Sequence, residues 1–243
     1  IHLIKYEIEY ASKDRPRVIK VAPWLSGYWA GMATLTKGPV AILVIALVYL
    51  IFKLLYSRKS FPGWALLKFV TVYLVVIMSW FGSIVAFTEN GMALVEKFIT
   101  YQVELFSQPV AGHEQPAYYH LLVFALGCFP MSVFAFRGMH LKILDYRQKT
   151  LKRFMLVWFW VVLVLFTIVE TKIVHYSSLL YFPGAFLAAA YVTTMIEERW
   201  KMKWDNWLLY FLGFLIFGVG VSLINVLTSN IDWLAEQVKD PFG

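Results

Sequence analysis

Charged residues are scarce in this sequence, and cysteine is almost missing from it. Only 15% of the 243 residues are Asp, Glu, Lys or Arg, against about 25% in ordinary soluble chains. Cys128 is the only cysteine and lies inside an apolar run, which excludes a disulfide framework and a cysteine zinc site. A glycine-rich phosphate loop beside a strand is missing as well, so no nucleotide cofactor is indicated.

Hydrophobic residues, by contrast, make up 60% of the chain, aromatic residues 18%, and the mean hydropathy is +0.65. This composition predicts an all-α, polytopic transmembrane helical bundle. The net charge of +7 is not taken as a sign of nucleic-acid binding, because in a membrane protein the placement of Lys and Arg sets the topology. We therefore expect membrane lipids, and no nucleic acid, as partners.

Seven apolar segments are predicted to be membrane segments of a single domain over 1–243. A membrane-spanning helix needs about 20 residues, and the first two segments are short. Only 36–39 (Thr-Lys-Gly-Pro) separates them, which predicts a tight helical hairpin. The segments are 21–36, 40–55, 67–87, 119–136, 154–169, 176–196 and 207–227.

The basic residues predict an orientation. If the N-terminal side lies inside, 18 of the 22 Lys and Arg residues fall on the inner side, whereas the acids divide 7 to 8. Such a bias is the positive-inside pattern. The outer segment 88–117 then contains an amphipathic helix with Glu96, Lys97 and Glu104 on its polar face, predicted to lie on the outer membrane surface.

Three polar clusters interrupt the apolar pattern on the predicted outer side, and the first contains Lys37 and Gly38. A lysine at the tip of a short hairpin either snorkels to the boundary or pairs with an anion. Gly38 allows the backbone to approach such an anion closely. Both interpretations, a boundary marker and a ligand for a lipid phosphate, stay open from these residues alone.

The second cluster includes His113, Glu114 and Gln115, and is followed by Tyr119 and His120 at a helix start. Free N–H groups at that start favour anions, the histidines can donate hydrogen bonds, and Glu114 can accept one from a sugar hydroxyl. A helix started by proline with an aromatic belt is the alternative. A zinc site from His113, Glu114, His120 and His175 is conceivable, but no HExxH spacing is present, and we predict no metal.

The third cluster is a turn that contains Lys172, His175 and Tyr176 between two apolar segments. A solvated turn with a tyrosine anchor is one interpretation. The other is that Lys37 and Lys172 flank a cavity that takes the phosphate or diphosphate head group of a lipid.

Together the clusters resemble three motifs of the dolichyl-phosphate-mannose-protein mannosyltransferase-like glycosyltransferases. This superfamily has the GT-C fold and includes the bacterial transferase that adds aminoarabinose to lipid A. Residues 31–39 resemble its G-x-A-x-L-x-K-G-P stretch, 113–119 its H-x-Q-P-F-W-Y-Y element, and 171–176 its S-K-L-P-H-Y element. Val174 replaces the usual proline and Ala117 a frequent aromatic residue.

The resemblance implies transfer of a sugar from a polyprenyl-phosphate donor to a lipid, glycan or protein acceptor, on the outer side of a bacterial inner membrane and without a cofactor. It implies that Lys37 and Lys172 help to bind the lipid phosphate, and that His113 and Tyr176 line the same cavity. With the polar clusters it gives these candidate substrate-binding residues: Lys37, Gly38, His113, Glu114, Gln115, Tyr119, Lys172, His175 and Tyr176.

The family's catalytic aspartate lies in an outer loop ahead of the K-G-P hairpin, and no acid of this sequence corresponds to it. We therefore expect the chain to be the C-terminal part of such an enzyme, with the general base upstream of Ile1, and to be inactive alone. The alternative is a non-catalytic lipid-handling or transporter-type membrane protein, since transporters also contain broken helices.

Overall fold

A computed structural model describes residues 17–56, 63–107, 115–143, 145–169, 172–197 and 204–230. Within these ranges the protein is helical and contains no strand, so the predicted all-α class is confirmed. Nine α-helices and one 3-10 helix are described. They are α1 (Arg17–Lys37), α2 (Val40–Tyr56), α3 (Gly63–Phe87), α4 (Gly91–Ser107), α5 (Tyr119–Gly127), α6 (Met131–His140), α7 (Tyr146–Ile168), the 3-10 helix (Val174–Leu180), α8 (Tyr181–Glu197) and α9 (Trp204–Ser229).

The predicted hairpin is present, because α1 ends at Lys37 and α2 begins at Val40. Gly38 has a φ of 75°, the left-handed conformation that commonly ends a helix and that glycine adopts without strain. Its N–H donates to the carbonyl oxygen of Thr34 at 2.9 Å. Pro39 cannot continue α1, since it has no N–H.

Helices α1 and α3 pack closely through two glycines. A Cβ on Gly27 would overlap the backbone of Phe69, and one on Gly31 would lie 2.7 Å from the side chain of Val76. Small residues that let two helices approach are typical of packing inside membranes. Because the contacts advance in the same direction along both helices, α1 and α3 run parallel.

Helix α7 forms the centre of the described bundle. Its Phe159 and Phe166 are fully buried, as are Phe124 of α5 and Leu187 of α8. The ring of Phe159 meets Phe124 edge-on at 5.0 Å between centroids. Aromatic side chains that bury this much apolar surface dominate the energy of a core, and they hold α5 and α8 against α7.

The segment 119–136, predicted as one span, is two helices, α5 and α6, bent by 113°. Pro130 has no N–H for the carbonyl of Leu126, which instead accepts from Phe129 at 3.3 Å. The Ser132 hydroxyl donates to the freed carbonyl oxygen of Ala125 at 2.6 Å. Side-chain hydroxyls that replace lost backbone hydrogen bonds make such breaks tolerable at membrane depth.

Within the described ranges, four helices are long and apolar enough to cross a membrane, or five if α5 and α6 count as one broken span. The predicted seven are not confirmed. Helix α2 has 17 residues and a length of about 25 Å, short of a hydrocarbon core of about 30 Å. Helix α1 has 21 residues but is not among the helices apolar enough to cross a membrane, because polar residues such as Ser26 and Thr34 interrupt its apolar sequence.

The basic side chains are divided between the two ends of the bundle. At one end, Arg153 lies over the ring of Tyr56 at 4.8 Å, and Lys68 lies between Trp24 and Trp64 at 5.8 and 5.5 Å. Lys37 lies at the other end, because α2 runs from Lys37 towards Tyr56. We name these the Arg153 end and the Lys37 end.

Helix α4 lies within the segment where an amphipathic helix was predicted, and the structure places it at the Lys37 end. Phe98 packs against Phe81 of α3 at 5.6 Å, and Gln102 contacts Gly38. Glu96, Lys97 and Glu104 are exposed, in agreement with the predicted polar face. Its location on a membrane surface stays a prediction.

Candidate functional site

Two of the predicted site residues, Lys37 and His175, come together although they belong to different motifs. Lys37 ends α1, His175 is the second residue of the 3-10 helix, and both are exposed. The Lys37 charge acts on the His175 imidazole. A cation and a hydrogen-bonding ring therefore face the same region, and the negative dipole end of α1 lies beneath Lys37.

Tyr176 is fixed between the core and this region. Its ring stacks on Phe166 of α7, with centroids 4.7 Å apart and planes inclined by 18°, and it meets His175 at 4.6 Å. The Tyr176 and Tyr101 side chains are close enough to interact electrostatically. The stacking on Phe166 fixes the plane of the Tyr176 ring, and its hydroxyl lies within electrostatic reach of Tyr101 of α4.

The hairpin tip is enclosed by α4. Gly38 is buried, and a Cβ at this position would lie 2.7 Å from the amide carbon of Gln102. Glycine is thus favoured by its positive φ, and a larger residue would also displace the end of the Gln102 side chain. The amide places a donor and an acceptor next to the K-G-P turn.

Lys172 and His120 form a deeper polar layer. Lys172 is 8% exposed, and its charge acts on His120, which is 1% exposed. Nδ1 of His120 is hydrogen-bonded to Oγ of Ser177 at 2.8 Å. Among the residues that the structure describes, no acidic side chain pairs with Lys172, and a buried ammonium is stabilised when an anion lies beside it.

The second motif is only partly described. Gln115 is exposed, and Tyr119 is half-buried with its ring edge-on to His120 at 5.3 Å. The predicted His113 and Glu114 lie outside the described residues. The structure thus brings Lys37, Gly38, Lys172, His175 and Tyr176 to one end, with Tyr119 joined to them through His120.

The described residues do not contain a group of three His, Cys, Asp or Glu side chains that would hold a metal ion. Of the four candidate zinc ligands, His120 and His175 lie within the described residues, and His113 and Glu114 do not. His120 is bonded to Ser177, whereas His175 faces Lys37. A neighbouring ammonium group competes with a metal cation for the same space.

An apolar groove of about 410 Å³ runs between α2 and α7. Its lining extends from Tyr56 and Leu156 towards Leu165 and Ile168, and the latter two flank Phe166, on which Tyr176 stacks. The groove therefore runs from the Arg153 end towards the Lys37 end, and the predicted site residues are not part of its lining. Its shape and lining suit a hydrocarbon chain.

Four residues of the site were missing from the sequence-based selection: Tyr101, Gln102, His120 and Ser177. The sequence does contain an indication for Gln102, because it is a polar residue on the apolar face of α4. His120 and Ser177 lay inside recognised polar clusters, but their pairing depends on the contact of α5 with the 3-10 helix. Nothing in the sequence pattern indicates Tyr101, since its position depends on the packing of α4 at the Lys37 end.

The chain was compared with known proteins at three levels. No protein-family model matches it, and neither a curated protein nor a solved structure matches it. A functional assignment consequently depends on the motifs of the chain and on the geometry at its Lys37 end.

Proposed function

We propose that this chain is part of a membrane glycosyltransferase of the GT-C type, which moves a sugar from a polyprenyl-phosphate donor to a lipid, glycan or protein acceptor. One observation carries the proposal. Lys37 of the first motif lies within electrostatic reach of His175 of the third, and both are at the Lys37 end of the bundle. Their convergence favours a shared ligand over unrelated boundary residues.

The charges and the groove support a donor with an anionic head and an apolar tail. Lys37 is exposed at the hairpin tip and Lys172 is buried at the same end of the bundle, and a phosphate bound by both would offset two positive charges. The groove between α2 and α7 supplies an apolar path for the chain of the same lipid. A free sugar phosphate would leave this groove unused.

The proposed reaction is a displacement at the anomeric carbon of the donor sugar. A bond forms between this carbon and the acceptor hydroxyl oxygen, and the bond to the lipid phosphate oxygen breaks. The acceptor proton passes to a carboxylate, a role that an outer-loop aspartate has in the family that the motifs resemble. Lys37 stabilises the departing phosphate, a contribution of about 2–4 kcal/mol for one well-placed donor.

The test is sugar transfer from a polyprenyl-phosphate donor by the full-length protein in nanodiscs. We expect Lys37→Ala and Lys172→Ala to abolish transfer and to leave the melting temperature nearly unchanged. Lys37→Arg should restore transfer only in part, because a planar guanidinium does not replace a compact ammonium in a tight turn. Lys97→Ala is the matched control, since Lys97 is an exposed lysine of α4. Normal transfer by Lys37→Ala would make Lys37 a boundary lysine.

The second candidate is a non-catalytic lipid-handling or transporter-type protein. The 113° break between α5 and α6 favours it, because transporters place binding sites at discontinuous helices. In that case the lipid phosphate would still bind through Lys37, but no sugar would be transferred to any acceptor.

We further propose a bacterial inner-membrane location with the Lys37 end on the outer face.

A further inference from the structure

His120 is held rigidly beneath the proposed head-group site. It is the second residue of α5, and its ring is 1% exposed. The ring lies against Phe166 at 5.9 Å and Tyr119 at 5.3 Å, and Nδ1 is hydrogen-bonded to Ser177 at 2.8 Å. These contacts fix the direction of the other ring nitrogen, Nε2.

Nε2 of His120 is buried and has no hydrogen-bond partner within the described part of the chain. A buried polar atom without a partner costs about 1–3 kcal/mol, so nearly all such atoms are paired in folded proteins. An unpaired nitrogen in such a buried position is accounted for when a ligand supplies the partner.

The neighbouring Lys172 indicates the charge of that ligand. Its ammonium acts on the His120 ring, and the residue is only 8% exposed. When the Ser177 hydroxyl donates to Nδ1, the ring proton is on Nε2, and Nε2–H becomes a donor. A neutral donor within electrostatic reach of a charged one suits an oxyanion, which can accept a hydrogen bond from each.

We propose that His120 contacts the ligand directly: its Nε2–H and the Lys172 ammonium together bind the phosphate of the donor lipid, and Ser177 fixes the required tautomer. This inference rests on the proposed function, because it names a residue of the same head-group site. It adds a buried layer, formed by His120 and Lys172, below the exposed pair Lys37 and His175.

The first experiment measures the affinity of the full-length protein in nanodiscs for three probes: farnesyl phosphate, farnesol and inorganic phosphate. We expect His120→Phe, which keeps a ring against Phe166, to weaken farnesyl phosphate binding by at least about tenfold, as for loss of a hydrogen bond to a charged group. Farnesol binding should not change. His140→Phe is the matched control, because His140 is exposed at the C-terminus of α6.

A second measurement does not depend on how the variant folds. In the wild-type protein with 15N-labelled histidine, the Nε2 resonance of His120 should indicate a protonated nitrogen and should shift on addition of farnesyl phosphate but not of farnesol. An Nε2 resonance that does not respond would show an internal partner and would overturn the inference. An equal response to inorganic phosphate would overturn the lipid assignment and leave a site for free phosphate.

The outcomes separate this inference from the proposed function. If the wild-type protein binds farnesyl phosphate through His120 but transfers no sugar from any polyprenyl-phosphate donor, the transferase proposal fails and the phosphate contact stands. If transfer occurs and His120→Phe binds farnesyl phosphate as tightly as the wild type, the contact is refuted while the transferase proposal stands.

Discussion

At the scale of single residues, Gly38 combines a positive φ with close contact to a side chain of another helix. Its φ of 75° belongs to the left-handed region, and the position of its missing Cβ is occupied by the Gln102 side chain. The first constraint follows from the sequence, because a Gly-Pro pair after an apolar run predicts a helix end. The second does not, since it requires α4 to fold back across the hairpin.

We predict that Gly38→Ala lowers the free energy of unfolding by more than the roughly 1–2 kcal/mol typical of an L-residue in this conformation. The additional loss arises from overlap with Gln102. In a Gln102→Ala background the cost of Gly38→Ala should therefore be smaller, and thermal or denaturant unfolding in detergent would measure both. Equal costs in the two backgrounds would show that Gln102 moves freely away from the turn.

A control for this series is Gly82→Ala. Gly82 lies inside α3, and nothing is within 4 Å of a Cβ at that position. Alanine should therefore stabilise the protein there by up to about 1 kcal/mol, through its higher helix propensity. The opposite signs at positions 38 and 82 distinguish a conformational requirement from a general effect of losing glycine.

The burial of Lys172 is a feature of single-residue scale that the sequence does not predict. Its position in a polar turn is consistent with full solvation, yet the residue is buried. The burial results from contact of the turn with the start of α5, where His120 pairs with Ser177. Pairings between distant segments depend on tertiary packing, which periodicity and composition do not encode.

At the scale of elements, the break between α5 and α6 is the main difference from the sequence-based prediction. The apolar run 119–136 has the length of one span, and its hydropathy conceals the break. Pro130 was the available signal, because proline disrupts the hydrogen bonds of the preceding turn. The direction of α6 after the break also depends on Gly138, where a Cβ would overlap the backbone of Leu187 in α8.

We predict that Ser132→Ala destabilises the protein by about 1–3 kcal/mol, because it removes the partner of the Ala125 carbonyl in a buried setting. Ser132 is fully buried, and its hydroxyl is 2.6 Å from that carbonyl oxygen. The measurement is the shift of the unfolding midpoint in detergent. A loss below about 0.5 kcal/mol would mean that the break does not depend on this hydrogen bond.

Ser83→Ala provides the comparison for this substitution. The Ser83 hydroxyl donates to Trp80 at 2.7 Å, but on an exposed part of α3. That carbonyl lies within a continuous helix and keeps its backbone partner. Removal of the hydroxyl should change stability by a few tenths of a kcal/mol at most, so a large effect at position 83 would point to a general role of hydroxyl groups.

At the scale of the whole molecule, composition was sufficient for the helical class and for the apolar character of the helices, because both are sums over many residues. Composition was not sufficient for the number of spans. Helix α1 contains polar residues and α2 has only 17 residues, so their placement depends on the neighbouring helices. Among the described residues, packing buries only Ala65 of α3 and none of the apolar part of α9. Such exposed apolar helices are typical of proteins surrounded by lipid.

The separation of charge between the two ends gives the final prediction, which concerns orientation. Lys149 is exposed in the first turn of α7, at the Arg153 end, whereas Glu104 is exposed on α4, at the Lys37 end. Because basic residues are retained on the cytoplasmic side, Lys149 should face the cytoplasm and Glu104 the outside. In a Cys128→Ala background, a membrane-impermeant maleimide should label Glu104→Cys on intact cells. It should label Lys149→Cys only after permeabilisation, and labelling at 149 but not at 104 would reverse the orientation.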